Sequence, residues 1–178
     1  EMCIRDRKKA CWIPGIYVPQ FYEVTYHEDG TIAAFTPSIP EAPEKIKKQL
    51  VMDMTEATYP EKPVVPFIKA TQDRVVLEIQ RGCIRGCRFC QAGFLYRPVR
   101  EKSPETIDRQ CRALCENTGY DEVSLSSLSS SDYSQIAPLL QKLTQWSDDE
   151  NVSLSLPSLR VDGFSDEILS KLKTVRKS

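Results

Sequence analysis

The chain has 178 residues, with 24 Lys+Arg against 25 Asp+Glu, 40% hydrophobic residues and 28% charged. That length suits one domain or slightly more, and the composition is too apolar for a disordered chain. A net charge of −1 argues against a nucleic-acid mode that depends on global positive charge, while leaving local patches open. No apolar stretch approaches the ~20 residues of a membrane helix. The charged first residues hold no signal-peptide core, so a soluble, cytoplasmic protein with no membrane partner is expected.

Two counts stand out: seven cysteines and a single histidine, His27. In a cytosolic chain, cysteines point to metal or redox chemistry more than to disulfides. Their spacing is uneven: Cys3 and Cys11, then Cys83, Cys87 and Cys90, then Cys111 and Cys115.

In chain order, the sequence starts at Glu1, and Met2-Cys3-Ile4-Arg5-Asp6-Arg7 back-translates to codons resembling a transposon-end adapter of sequencing libraries. Residues 1–7, with Cys3, are set aside from fold reasoning as an expected assembly scar. Phe21 to Tyr26 and Thr31 to Phe35 are aromatic and β-branched runs around His27-Glu28-Asp29-Gly30, a hairpin signature. Pro37, Pro40 and Pro43 end the hairpin, and Glu44 to Met52 is expected to form a short helix. Eight of the twelve prolines lie before residue 70, so residues 1–71 read as an extended arm with a hairpin and short helix.

From residue 72 strands and helices alternate. Arg74 to Ile79 reads as a strand that runs directly into the cysteine triplet. Ser103-Pro104-Glu105 opens a helix with Ile107, Cys111, Leu114 and Cys115 on one stripe, stopping at Gly119. Glu122 to Ser126 is a second strand, and Ser131 or Ser134 opens a second helix that Pro138 delays or kinks. Val152 to Leu156 is a third strand, and Ser165-Asp166-Glu167 caps a third helix through Leu172. Three β–α units in a row imply parallel strands joined by right-handed crossovers. The last residues, Lys173 to Ser178, stop as a new segment begins, so both ends are expected to be cut.

Cys83-Ile84-Arg85-Gly86-Cys87-Arg88-Phe89-Cys90 has the spacing C-x3-C-x2-C. Three thiolates this close, on a loop with Gly82 and Gly86 for sharp turns, can converge on one soft metal centre. A structural zinc site is normally closed by four ligands, whereas an iron–sulfur cube held by three cysteines leaves one iron open. The loop follows the carboxyl end of the first parallel strand, where α/β folds place their sites.

This motif, with an aromatic residue before its last cysteine, resembles the radical SAM superfamily. The resemblance implies a [4Fe–4S] cluster on Cys83, Cys87 and Cys90 whose fourth iron is chelated by S-adenosyl-L-methionine. It implies reductive cleavage to a 5′-deoxyadenosyl radical that abstracts a substrate hydrogen, and an electron donor such as flavodoxin or ferredoxin. It places Phe89 along the adenine, Ser126 and Ser127 on the methionine moiety, and Ser158 and Arg160 on the SAM carboxylate or the substrate.

A narrower resemblance covers Ile13 to Pro19, Arg81 to Gly93, Tyr96 to Arg100, Ser126 to Tyr133 and Leu156 to Arg160. These segments are similar to an uncharacterised group of B12-binding radical SAM proteins. Cobalamin is expected in the full-length protein only, because this chain carries no cobalamin domain and His27 lies outside any D-x-H-x-x-G motif. The implied fold is α/β: an incomplete radical SAM, partial TIM-type barrel with about three β–α units over residues 72–178. As half a barrel, the chain alone is expected to be inactive and prone to aggregate, with the substrate-choosing residues in the missing half.

Plainer readings stand beside these. The triplet could be a structural zinc site with Cys111, Cys115 or His27 as fourth ligand, forming a zinc-stapled nucleic-acid-binding module. Cys111 and Cys115 also fit as small buried hydrophobes on the helix stripe. Arg81, Arg85, Arg88, Arg97 and Arg100 form a basic run without an acid, read as a collar for the cluster, a grip for a phosphate-bearing partner, or a solvated loop. Ser126, Ser127, Ser129 and Ser130 could equally be a polar loop.

Overall fold

A computed structural model of the chain describes residues 4–160 and residue 162. The chain divides into two compact units, Glu1–Val51 and Met52–Ser178.

The first unit contains helix α1 (Ile4–Ala10), which begins inside the stretch set aside above and runs three residues past it, and a hairpin of strands β1 (Tyr22–Tyr26) and β2 (Ile32–Pro37). The strands pair antiparallel from Tyr22↔Pro37 to Tyr26↔Ile32. Their turn forms as expected: Asp29 accepts hydrogen bonds from the Thr31 N–H at 2.9 Å and the Thr31 hydroxyl at 2.6 Å. Cys11, Val18, Phe21, Tyr22 and Ala42 make a small core, with Tyr22 and Phe35 stacked at 4.9 Å. The helix expected over Glu44 to Met52 does not form. So short a segment needs an apolar face to bury, and of this stretch only Ile46 packs against the small core.

The second unit begins with irregular chain that belongs to it: the Tyr59 hydroxyl donates to Val76 O at 2.7 Å, and Asn117 donates to Glu61 O at 3.0 Å. Its centre is a parallel sheet in the order β3 (Val75–Glu78), β6 (Glu122–Ser126), β7 (Ser153–Ser155). The register sets Leu77 beside Leu125 and Val123 beside Leu154. Between the sheet strands lie α2 (Ala92–Leu95), α3 (Pro104–Thr118) and α4 (Ile136–Ser147).

Strand alternation divides the sheet into two faces. Val75, Leu77, Val123 and Leu125 form the apolar face and are buried with Ile107, Cys111, Leu114, Leu139, Leu140 and Leu143 from α3 and α4. The other face carries Val76, Glu78, Ser124 and Ser126.

The helix boundaries follow local chemistry. At the start of α3 the Ser103 hydroxyl accepts the Thr106 N–H at 3.2 Å, with Pro104 at the first position. Its end is Gly119 at φ +73°, whose N–H donates to Cys115 O at 2.8 Å. Helix α4 starts late, at Ile136, which keeps Pro138 inside the first turn. The helix expected from Ser165 to Leu172 lies outside the described residues.

Candidate cofactor site

The cysteine loop is closed at its base by a ribbon that sequence reasoning missed. After β3, Ile79 donates to Ser126 O and accepts from Lys102 N, each at 3.0 Å. Strand β4 (Gln80–Arg81) then pairs antiparallel with β5 (Arg100–Glu101), closing residues 82–99 into one loop. A two-residue strand offers no alternation to read. Gly82, at φ +94°, stands where the chain turns into the loop, and a Cβ there would meet Tyr96 O at 2.6 Å and Pro98 O at 3.0 Å. The loop back is built against this glycine.

Cys83, Cys87 and Cys90 are free and partly exposed on this loop, beyond the carboxyl end of β3. Cys90 N donates to Cys87 O at 3.0 Å in a turn, and the Arg85 N–H points at the Cys83 sulfur at 3.4 Å. Among the described residues, no three His, Cys, Asp or Glu side chains are gathered at metal-binding distance. The three thiols therefore share a loop without converging. As a donor set they fit a soft iron–sulfur centre: three unoxidised thiols, one already receiving a backbone N–H.

Cys111 and Cys115 do not face this loop but sit in the core of α3. Burial pushes the Cys111 thiol well up and the Cys115 thiol to about 11, so neither is readily available as a thiolate ligand. His27 lies in the hairpin turn of the first unit.

Most of the arginines are occupied. Arg81 forms a two-point pair with Glu78, at 2.9 and 2.5 Å. Arg85 does the same with Asp132, at 2.9 and 2.5 Å, and Asp132 also accepts the Ser129 hydroxyl at 2.8 Å. The Arg85 guanidinium holds the Asp132 carboxyl below the usual carboxylate range. Arg97 donates to Ile84 O and Arg85 O, and buried Arg100 donates to Pro98 O at 3.1 Å. Arg88 is exposed. Most of the basic run thus braces the loop and its surroundings.

Ser126 and Ser127 line a cleft of about 540 Å³ with Gly82, Glu78, Gln80 and Tyr59, so they do stand beside the cysteine loop. Ser127 Oγ and Ser130 Oγ share a hydrogen bond at 2.9 Å, and Ser130 N donates to Ser158 O at 2.8 Å. Arg160 pairs with Asp162 at 2.9 and 2.8 Å. Phe89 is 94% exposed and packs on nothing in the cleft. Sequence reasoning did not single out Asp132, Tyr59, Glu78 or Gln80. Alternation along the first strand would have put Glu78 and Gln80 on the face of Val76, but Asp132 carries no local signal.

The sequence model of the radical SAM superfamily matches residues 77–177, from β3 through the whole cysteine loop and beyond β7. The chain belongs to the radical SAM superfamily, whose members carry out SAM-dependent radical chemistry. An uncharacterised protein of Methanocaldococcus jannaschii is 31% identical over 135 residues, 71% of this chain and 30% of that relative. A second protein of the same organism, named "Putative methylthiotransferase", is 29% identical over 108 residues, 56% of this chain and 23% of that relative. The chain spans less than a third of either relative. No helix among the described residues is long and apolar enough to cross a membrane.

Proposed function

We propose that the chain binds a [4Fe–4S] cluster through the thiolates of Cys83, Cys87 and Cys90 and takes S-adenosyl-L-methionine beside it. The observation that carries this is three free thiols on one ribbon-closed loop at the carboxyl end of β3, inside the family-matched region. When bound, the cluster and SAM supply reductive cleavage of a carbon–sulfur bond and hydrogen-atom abstraction from a substrate.

The chain's own residues hold and orient. The Arg85 N–H, already on the Cys83 sulfur, would stabilise thiolate charge there. The Arg85–Asp132 pair ties the ligand loop to the turn that follows Ser126 and Ser127, which are read as SAM contacts. Ser158 and Arg160 complete that side, and the exposed ring of Phe89 is free to cover the adenine. The three parallel strands are read as the first part of a larger barrel, and an electron donor such as flavodoxin or ferredoxin as the partner. Cobalamin enters only for a longer protein, on the resemblance of Ile13 to Pro19 and the other matching segments.

Anaerobic reconstitution with iron and sulfide tests the proposal. A brown protein with a [4Fe–4S]⁺ EPR signal on reduction, perturbed by SAM and lost in Cys83→Ala, is expected. Stoichiometric tight zinc without iron incorporation would overturn it in favour of the zinc module.

A further inference from the structure

The cleft beside the cysteine loop contains a group that the cluster does not use. Gln80 starts β4, its backbone held against Glu101, and the residue is 1% exposed. Both heteroatoms of its carboxamide, Oε1 and Nε2, are buried without a hydrogen-bond partner. Of the buried side-chain atoms without a partner among the described residues, only these two belong to a residue lining the cleft. Elsewhere in this unit Arg74 Nε and the hydroxyls of Ser131, Ser147 and Ser153 are also buried without a partner, but none of these residues lines the cleft. Other buried polar side chains are answered. Lys102 donates to Gln110 at 3.0 Å, and Ser129 to Asp132 at 2.8 Å. A folded protein seldom leaves an amide's donor and acceptor both unanswered.

The surroundings narrow what could answer them. The carboxylate and the guanidinium in the lining, Glu78 and Arg81, are already paired with each other at two points. Tyr59, Tyr96, Val76 and Leu128 contribute apolar or aromatic wall, and Ser126 and Ser127 contribute hydroxyls. This is a wall for a neutral, flat group. A carboxamide presents an acceptor next to a donor, and its complement is another planar edge of the same kind, as on a primary amide or an adenine.

We infer that Gln80 is a ligand-binding residue of this cleft, reading the donor–acceptor edge of a neutral planar group on the substrate: a carboxamide or a nucleobase. The inference rests on the proposed function, which places SAM beside the cluster and against Ser126 and Ser127 of this cleft. SAM carries such an edge on its own adenine, so the test separates cofactor from substrate.

The chain is reconstituted anaerobically and saturated with SAM, and binding of adenosine and of nicotinamide is measured by equilibrium dialysis. Purine riboside, which lacks the 6-amino donor, is the control. Wild type should bind adenosine or nicotinamide, purine riboside about tenfold more weakly than adenosine, and Gln80→Leu should lose about tenfold in affinity for the bound probe. Gln80→Leu should also melt higher than wild type, because it removes an unanswered buried amide, with iron content and SAM affinity unchanged. A lower melting temperature would mean that the amide has an internal partner and would overturn the inference. So would probe affinity unchanged in Gln80→Leu, the absence of probe binding, or a loss confined to SAM, which would assign the amide to the cofactor. Failure of wild type itself to take up a cluster would instead overturn the underlying cluster-binding proposal.

Discussion

The Arg85 guanidinium and the Asp132 carboxylate meet at two points, Nε to Oδ2 at 2.9 Å and Nη2 to Oδ1 at 2.5 Å, across 47 residues of sequence. Arg85 lies between Cys83 and Cys87, and Asp132 lies in the turn after β6 that also contains Ser129 and Ser130. One pair therefore ties the ligand loop to the turn following the expected SAM contacts. A planar fork on a carboxylate fixes orientation as well as distance, which a single ammonium cannot.

Breaking this pair should loosen the ligand loop and spare the core. Arg85→Lys and Asp132→Asn are each expected to lower the iron retained per chain after reconstitution and desalting, with little change in the thermal melt of the sheet and helices. Iron content equal to wild type in both variants would show that the pair does not position the ligands.

Gly82→Ala should be costly out of proportion to one methyl group. The residue sits at φ +94°, and its new Cβ would press on two backbone oxygens that have no rotamer to yield. A penalty of about 1–3 kcal/mol from the backbone conformation is expected, with the clash added to it. Urea unfolding measures the loss, and iron binding should fall with it. Gly30→Ala, also at positive φ but with nothing within 4 Å of the added Cβ, should leave iron binding intact.

Stability should fall in alkali through the core thiols. Burial raises the folded Cys111 and Cys115 thiols above the ~8.5 of an unfolded thiol, so the folded state holds protons that the unfolded state releases. Stability is then lost as pH rises above that value, by about 1.4 kcal/mol per pH unit for each such thiol. Burial lowers Lys102, which works the opposite way: stability is gained as pH rises between its folded value and the ~10.4 of a free lysine. Comparing wild type with Cys111→Ala cancels the lysine. The variant should be less stable at neutral pH and show a flatter decline above pH ~8.5. Parallel declines would mean that the Cys111 thiol is not held protonated.

Ser103→Ala should destabilise the second unit by about 1 kcal/mol, because its hydroxyl caps the Thr106 N–H at the start of α3. Chemical denaturation reads this directly, and an unchanged midpoint would count against the cap.

What could be read without coordinates was what local chemistry decides. Ser103-Pro104 and Gly119 bracket α3, and Asp29-Gly30 turns the hairpin, because capping and turn formation depend on residues a few positions apart. The parallel order of β3, β6 and β7 followed from alternating strand and helix patterns. The ribbon of Gln80–Arg81 with Arg100–Glu101 was not legible, since its pairing depends on how residues 82–99 fold back. Asp132 was missed for the same reason: a carboxylate in a serine-rich turn looks solvated until its partner 47 residues away is known. In sequence the basic run fits a collar for the cluster, a grip for a phosphate-bearing partner or a solvated loop, yet Arg81, Arg85, Arg97 and Arg100 all bond to nearby protein groups. Glu44 to Met52 failed as a helix because its propensity had too little core to pack against.

Three cysteines that hold a four-iron cluster leave one iron for SAM. Mössbauer spectroscopy of the chain reconstituted with ⁵⁷Fe measures this most directly. A [4Fe–4S] spectrum is expected in which SAM changes one iron site and leaves three alike, and it should disappear in Cys83→Ala, Cys87→Ala and Cys90→Ala. Four irons that are indifferent to SAM, or a cluster that survives loss of one of these cysteines, would contradict it.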